Sequence, residues 1–566
     1  MDNVETLTPG TRRGILLTGV LQGLFCALLM HYLARPGVPA DSGWLVYGLP
    51  ATLALSLTVM LSVVSFRQPR LWLALGVLLL VVLGMSGWQK WNLYGLGSWD
   101  VRSRLFCYGG WLLVMTLLML PWLQRLLSPE KEETDGYAAF YARLWHNGLA
   151  LLLALLANGL VWLVLALWSA LFELVGIAVF SHLFFDTDWF VYLLTGVVTA
   201  LTVVLVRSHG RLIAATRKLL TLVATGLLPL VSLLALLFIV TLPFVGLSAI
   251  SRHTSAAGVL ASLGGLLLLL AIVVWERERW PYPAALSWLV RLSLMISPLY
   301  ALLTAWCLWL RIQQYGWTPE RLGGALVALV LIVGSFGYLY CLLRRPQGIG
   351  RVNRGLSLLV LALLLLLHTP LLDPWRIAVN SQLARYHSGK ITVSQLSLSL
   401  LADSGRRGRE ALLALKSDPA LQADAAQRRT LYRLLNGGVE ATPAPTANTL
   451  KQQIPVAPGS PVPDEAFWAA LLKMRYLTAS CEPSEACLLM SQDLNGDGQP
   501  EWVLYQFADR SLVVFSHDAK GWTQQGRADR LPAGLDAAAL KAGKVGSEAK
   551  TWRDITINGE RVVVEY

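Results

Sequence analysis

The densest run of ligand-type side chains lies near the C-terminus, where Asp493, Asn495, Asp497, Gln499 and Glu501 alternate with Leu, two glycines and Pro500. Alternate oxygen-bearing groups around a tight glycine turn can wrap a calcium ion. Asp493, Asn495 and Asp497 would give side-chain oxygens, Gln499 a carbonyl and Glu501 a carboxylate. An EF-hand wants Glu at its twelfth position, and Leu504 stands there. The flanks read as strands, so this is a turn between strands, with an ion-free polar hairpin as the other reading. Calcium is the one cofactor suggested, and any role for it would be structural. Cys481 and Cys487, the only cysteines after residue 372, lie just upstream. Their proximity suits a local disulfide, with two buried thiols as the alternative.

A second set lies among apolar segments. Glu173 falls at the outer surface, and beyond it His182, Asp186 and Asp188 cluster in one loop, where two carboxylates and an imidazole could hold a metal, or a lipid-linked phosphate through a metal. Asp188 could equally cap the next helix. Arg291 falls inside an apolar span, and ionisable groups there often mark a transport or catalytic path. It sits near enough to one end to snorkel. Asn158 and His368 could each bond a neighbouring helix, and Asp41 and Asp100 lie in loops on one side. No P-loop, Rossmann glycine pattern, zincin helix or nucleophile elbow is present.

The elements that must position these groups are mostly membrane spans. Mean hydropathy is +0.54, and 55% of residues are hydrophobic against 14% charged. The fold class is a polytopic α-helical membrane protein. Apolar stretches near 14–34, 44–65, 71–88, 105–123, 148–170, 189–206, 219–243, 256–275, 285–309, 322–343 and 355–372 give about 11 transmembrane helices. The run 148–185 is too long for one crossing. Splitting it would turn basic loops outward, so one span followed by a surface segment is expected. The first span is too long for a signal peptide and reads as an uncleaved anchor. Residues 137–145 place Tyr137, Phe140, Tyr141, Leu144 and Trp145 on one helical face, suited to the headgroup region, either as a partner or lipid contact or as an anchor leading into the next span.

Charge divides at about Leu372. Residues 1–372 hold 25 Lys and Arg against 14 Asp and Glu, and the remainder 22 against 21. The basic excess therefore belongs to membrane loops and gives no reason to expect nucleic acid. Seventeen loop cations fall on one face and seven on the other. This places the N-terminus in the cytoplasm and the tail in the periplasm of a bacterial inner membrane. The C-terminal extracytoplasmic region reads as a short helical segment over 373–436, a flexible Pro/Ala/Thr-rich linker over 437–464 and a small α+β domain over 465–566. Helices are expected at 374–387, 393–402, 407–417 and 425–435, with Thr392 and Gln395 at capping-box spacing. Strands are expected at 487–490, 502–507, 512–516, 555–557 and 562–564, with Asn558-Gly559 turning the last pair.

The stretch 310–322 carries Arg311, Tyr315, Gly316, Trp317, Thr318, Pro319, Glu320 and Arg321. Physically it is a helix end, a glycine turn, then Thr318 as N-cap with Pro319 at the first helical position. It also resembles the signature of a bacterial membrane family, domain of unknown function 4153. Residues 167–177, 242–247 and 381–390 are similar to the same family, and the resemblance runs over roughly 140–420. It implies a polytopic envelope protein, supplies no catalytic residues and leaves out the last module.

The leading expectation is a non-enzymatic inner-membrane protein whose periplasmic tail senses or binds an envelope partner, with the lipid bilayer as its other partner. A transporter or lipid flippase would need a polar cavity reached by Arg291, Asn158 or Glu173. A metal-dependent transferase on a lipid-linked substrate would bring together outer-face carboxylates such as Asp41, Asp100, Asp186 or Asp188.

Overall fold

The computed structural model describes the chain apart from residues 1–6, 36–37, 128–135, 246–254, 276–279, 346–347, 436–446, 475–480, 482–486, 495, 497, 508–510, 519–520, 530–554, 558–559 and 563–566. The chain divides into two compact units, Met1–Gly438 and Val439–Tyr566.

Eleven helices in the first unit are long and apolar enough to cross a membrane. They are α1 (Pro9–Leu33), α2 (Leu49–Ser62, entered through the π-turn Trp44–Gly48), α3 (Pro69–Leu93), α4 (Ser98–Leu127), α5 (Tyr137–Glu173), α6 (Asp188–Ser208), α7 (Gly210–Val245), α8 (Ala256–Val274), α9 (Ala284–Tyr315), α10 (Pro319–Arg344) and α11 (Ile349–Leu367). Each expected span is present. Lipid offers nothing to an unpaired carbonyl, so helix breaks must be repaired locally. Pro229 removes the helical donor to Thr225, and the Tyr282 hydroxyl donates to that carbonyl at 2.8 Å. Pro298 does the same to Leu294, whose carbonyl accepts from Ser297 Oγ at 2.7 Å. Helices α1 and α6 meet through small residues. A Cβ on Gly19 would lie 2.5 Å from the Gly196 carbonyl, so the backbones can approach only because both are glycine.

The run 148–185 holds one long helix. The 37 residues of α5 span about 55 Å at about 1.5 Å per residue, more than one bilayer thickness. Its N-terminal part leads straight into the span, as the anchor reading expects, but the aromatic face does not meet headgroups, because Tyr137, Phe140 and Tyr141 are buried in the core. Asn353 donates to the Tyr137 hydroxyl at 2.9 Å, and the Tyr141 hydroxyl donates to the Val273 carbonyl at 2.6 Å. After α5 the chain turns through Val179–Ser181 and the π-turn His182–Asp186, where Phe172, Phe180 and Phe184 form an aromatic knot with Trp168.

A helical appendage completes the first unit: α12 (Pro374–His387), α13 (Leu398–Ala402), α14 (Gly405–Leu415), α15 (Pro419–Ala423) and α16 (Ala425–Leu435). Leu398, Leu401, Leu412, Leu421 and Leu431 form its core. The expected capping box exists, with Thr392 and Gln395 closing a 3-10 turn before α13.

The second unit begins with α17 (Ala447–Gln453), where a linker is expected. Leu450 and Ile454 are buried with Phe467 and Trp468 of α18 (Glu465–Lys473), so this stretch is part of the module's core. Strands β1 (Cys487–Gln492), β2 (Glu501–Gln506), β3 (Ser511–Asp518) and β4 (Gly521–Asp529) form an antiparallel meander in that order. The short pair β5 (Ile555–Ile557) and β6 (Glu560–Val562) matches Ile557 with Glu560, so the second strand starts two residues earlier than expected, while the Asn558-Gly559 turn and residues 563–564 lie outside the described residues. No strand is expected at β4, whose run of Thr, Gln and Gly hides the alternation. Trp522 nonetheless reaches the core side, donating to Asp464 Oδ1 at 3.0 Å.

Candidate functional site

The appendage docks where α3 ends, α4 begins, α10 begins and α11 ends. Two contacts fix it. Arg385 of α12 donates to the carbonyls of Gln313 (3.0 Å) and Gln314 (2.6 Å), placing a cation on the negative end of α9. Ser381 Oγ accepts from Trp317 N–H at 3.0 Å. The stretches 310–322 and 381–390 are therefore partners in space. On the other side Gly405 enters α14 with φ +63, and a Cβ there would lie 1.9 Å from the Asn92 carbonyl. Arg406 and Arg407 then cover the face of Trp91 at 5.1 and 5.0 Å, and Trp91 stacks on Trp88.

Between these contacts lies a cavity of about 480 Å³. Helix α4 lines it with Asp100, Ser103, Arg104, Cys107, Tyr108 and Trp111, one face at helical spacing. Asn92, His368, Asp373, Trp375 and Asp403 arrive from four other segments. The floor is buried. Tyr108 bonds Ser86 Oγ at 3.1 Å, and His368 lies 5.5 Å from the Tyr108 ring. His368 Nδ1 pairs with the Leu364 carbonyl at 2.8 Å, so that nitrogen carries the hydrogen and Nε2 is left as an acceptor.

Asp373, 1% exposed, caps α12 with Oδ1, which accepts from Trp375 N–H at 3.0 Å. Its Oδ2 has no hydrogen-bond partner among the described residues, and Arg407 Nε stands 4.0 Å away. Asn92, 4% exposed, also leaves Oδ1 unpaired. Two buried acceptors without donors are costly, and a ligand that donates would satisfy them. The rim carries Asp100 and Asp403. Partial burial raises the Asp403 carboxyl above the usual range, Asp100 raises it further, and Arg104 opposes both. Arg104 itself lies 3.9 Å over the Trp375 ring.

Other sequence-expected groups are dispersed. His182 Nδ1 meets Asp186 Oδ2 at 2.7 Å, but both are largely exposed. Thr187, not Asp188, is the N-cap of α6, and Asp188 opens its first turn. Glu173 is exposed at the end of α5 and Arg291 along α9. Asn158 donates to the Ala154 carbonyl and to Thr199. Asp41 gives its backbone carbonyl to Lys90. Arg207, in the last turn of α6, is buried and donates to the Met60 and Val63 carbonyls at the end of α2.

In the second unit the Cys481–Cys487 disulfide is formed, with Cα atoms 5.1 Å apart. Asp493 accepts from the N–H groups of Gly496 (2.7 Å) and Gly498 (3.1 Å), and Glu501 from Leu494 N–H (2.7 Å). Gln499 is exposed, while Asn495 and Asp497 lie outside the described residues. Among the described residues no three His, Cys, Asp or Glu side chains are grouped to hold a metal ion.

Of the cavity's groups, sequence reading singles out Asp100 and His368, each separately. Asp373, Asp403 and Asn92 are missed because their partners lie hundreds of residues apart. The polar stripe within α4 was the available signal: an apolar span carrying Asp100, Arg104 and Tyr108 on one face has something polar to face.

Comparison with known proteins adds a family. No curated protein and no solved structure matches the chain. A family model does match over residues 51–413, which takes in α2–α13, every residue lining the cavity and both docking contacts of the appendage, and leaves out the second unit. The chain belongs to the family described as Domain of unknown function (DUF4153).

Proposed function

We propose that this is a bacterial cytoplasmic-membrane protein whose appendage end faces the periplasm, and whose cavity there binds the hydroxyl-rich headgroup of a lipid-linked sugar. The two unpaired acceptors on the buried floor, Asn92 Oδ1 and Asp373 Oδ2, carry this reading. Hydroxyls donate to such oxygens, rim carboxylates accept more of them, and exposed aromatic faces such as Trp111 suit the C–H faces of a sugar ring. The orientation rests on the seventeen-to-seven split of loop cations, and the disulfide of the second unit agrees with an oxidising compartment. That unit, outside the family match, is read as the part that meets an envelope partner.

A catalytic reading has one observation in its favour. Asp100 and Asp403 share the rim, and the Asp403 carboxyl is held toward its neutral form, as a general acid would be. Glu173 and Arg291 are exposed, and Asn158, whose Oδ1 also lacks a donor, lines neither cavity, so a transport path has no comparable support.

The test is native mass spectrometry of the full-length protein in nanodiscs containing monoglucosyl diacylglycerol or phosphatidylethanolamine. The glycolipid is expected to stay bound, and Asp100→Asn with Asp403→Asn should weaken its retention about tenfold. Preferential retention of phosphatidylethanolamine would make this an ammonium site instead. Retention unaffected by the double substitution would end the proposal. Turnover of the glycolipid, lost in Asp403→Asn, would favour the catalytic reading.

A further inference from the structure

A second cavity lies on the opposite side of the α10–α12 junction, and its chemistry is different. It encloses about 600 Å³ and is widely open to solvent. Consecutive residues divide between the two, Trp375 lining the first and Arg376 the second. The second is lined by three cations, Arg376, Arg385 and Lys390, and none of its lining residues is acidic.

The three cations are committed to different degrees. Arg385 spends both terminal nitrogens on the end of α9, so it is a fixed positive charge whose Nε has no partner. Arg376 uses one nitrogen, Nη2, on the Leu371 carbonyl at 2.9 Å. The Lys390 ammonium makes no hydrogen bond or ion pair among the described residues. Ser381 Oγ accepts from Trp317 N–H and keeps its own hydrogen to donate, and the amide of Asn380 lies on the same wall. Cations with no acidic neighbour in the lining, a hydroxyl and an amide around one open cavity make a donor set for a multidentate oxyanion. It lies at the C-terminal end of α9 and the turn that follows, where the span reading puts the headgroup level of the bilayer.

We infer that this cavity is an anion site for a phosphate group, held by Arg376 and Lys390 with Arg385 as the fixed charge behind them. The group can come from an anionic phospholipid or from free phosphate. The inference does not rest on the sugar-headgroup reading, since it uses other residues and the opposite ligand charge.

The experiment uses the purified full-length protein, with native mass spectrometry against phosphatidylglycerol, neutral diacylglycerol and inorganic phosphate. Phosphatidylglycerol should bind saturably, diacylglycerol should not, and affinity should fall as salt rises. Arg376→Gln with Lys390→Gln should weaken phosphatidylglycerol binding at least about tenfold, with thermal unfolding unchanged. Lys416→Gln removes one positive charge elsewhere on the appendage and should leave binding unchanged. Competition by inorganic phosphate would identify the free anion as the occupant, and its failure to compete would identify the lipid. Wild-type affinity in the double variant, or an equal loss in Lys416→Gln, would overturn the inference. Retention of monoglucosyl diacylglycerol should not respond to these substitutions, so the two cavities can fail separately.

Discussion

The loop at 493–501 and the cavity floor around Asp373 use the same functional group in opposite ways. In the loop, Asp493 gives both carboxylate oxygens to glycine N–H groups and Glu501 braces Leu494, so these carboxylates hold the turn that joins β1 to β2. On the floor, Asp373 gives one oxygen to the α12 N-terminus and leaves the other buried without a hydrogen bond, 4.0 Å from Arg407 Nε. A dense acidic motif can thus be a piece of scaffold, while a lone aspartate between two helices carries the unspent bonding capacity. What marks a site is the acceptor without a donor, and spacing along the chain does not report it.

The largest effect that can break this comparison is at the glycines that set the two regions. Gly405 has φ +63 and no room for a Cβ, whereas Gly496 has φ +78 with nothing within 4 Å. Gly405→Ala is expected to cost about 3 kcal/mol, combining an unfavourable backbone with a clash on the Asn92 carbonyl. Gly496→Ala should cost about 1 kcal/mol from the backbone alone. Thermal unfolding of the full chain measures both, and limited proteolysis should show the appendage released only in the first. Equal costs would mean that the appendage does not seat on the end of α3.

Next in size is the disulfide. Cys481→Ser with Cys487→Ser should remove about 2 kcal/mol by lengthening the list of unfolded conformations. The loss should be confined to unfolding of the second unit, while headgroup retention by the first stays at the wild-type level. A coupled loss in both would contradict the division after Gly438.

Sequence patterns reveal the scaffold far better than the site, for physical reasons. A span must be about 20 apolar residues because lipid cannot bond a free amide, so all eleven are legible. The aromatic face at 137–145 is legible as a stripe, but a stripe does not say whether lipid or protein covers it. Here α8 and α11 do, through Val273 and Asn353. The C-terminal sheet is half legible, since β2 and β3 carry Val, Leu and Tyr while β4 is polar and held by pairing with β3. The cavity is barely legible, because it is assembled from five segments between residues 89 and 403.

A direct exchange at the two aspartates gives the third prediction. Asp493→Ala removes two charge-assisted bonds to backbone and should cost about 2 kcal/mol. Asp373→Ala loses a helix cap and a long ion pair with Arg407, about 1 kcal/mol, while relieving a buried oxygen that has no hydrogen bond. Headgroup retention should follow the opposite order, falling for Asp373→Ala and holding for Asp493→Ala. A larger stability loss at Asp373 would show that its second oxygen is already satisfied.

The smallest effect is the pH dependence of the rim. Partial burial, and then Asp100, hold the Asp403 carboxyl above its ordinary value of about 3.9, with Arg104 pulling the other way. Between the ordinary and the raised value the folded chain holds the proton and the unfolded chain does not. Stability from this group is therefore complete below about pH 4 and declines as pH rises through the raised value. Asp403→Asn should abolish that slope, and Asp100→Asn should shorten it from its upper end while the part due to burial remains. Unfolding midpoints of the three proteins across the mildly acidic range measure the difference. An Asp100→Asn profile that overlays the wild type would mean that Asp100 does not act on Asp403. The two would then be separate rim charges, and the acid–base reading of the cavity would lose its only support.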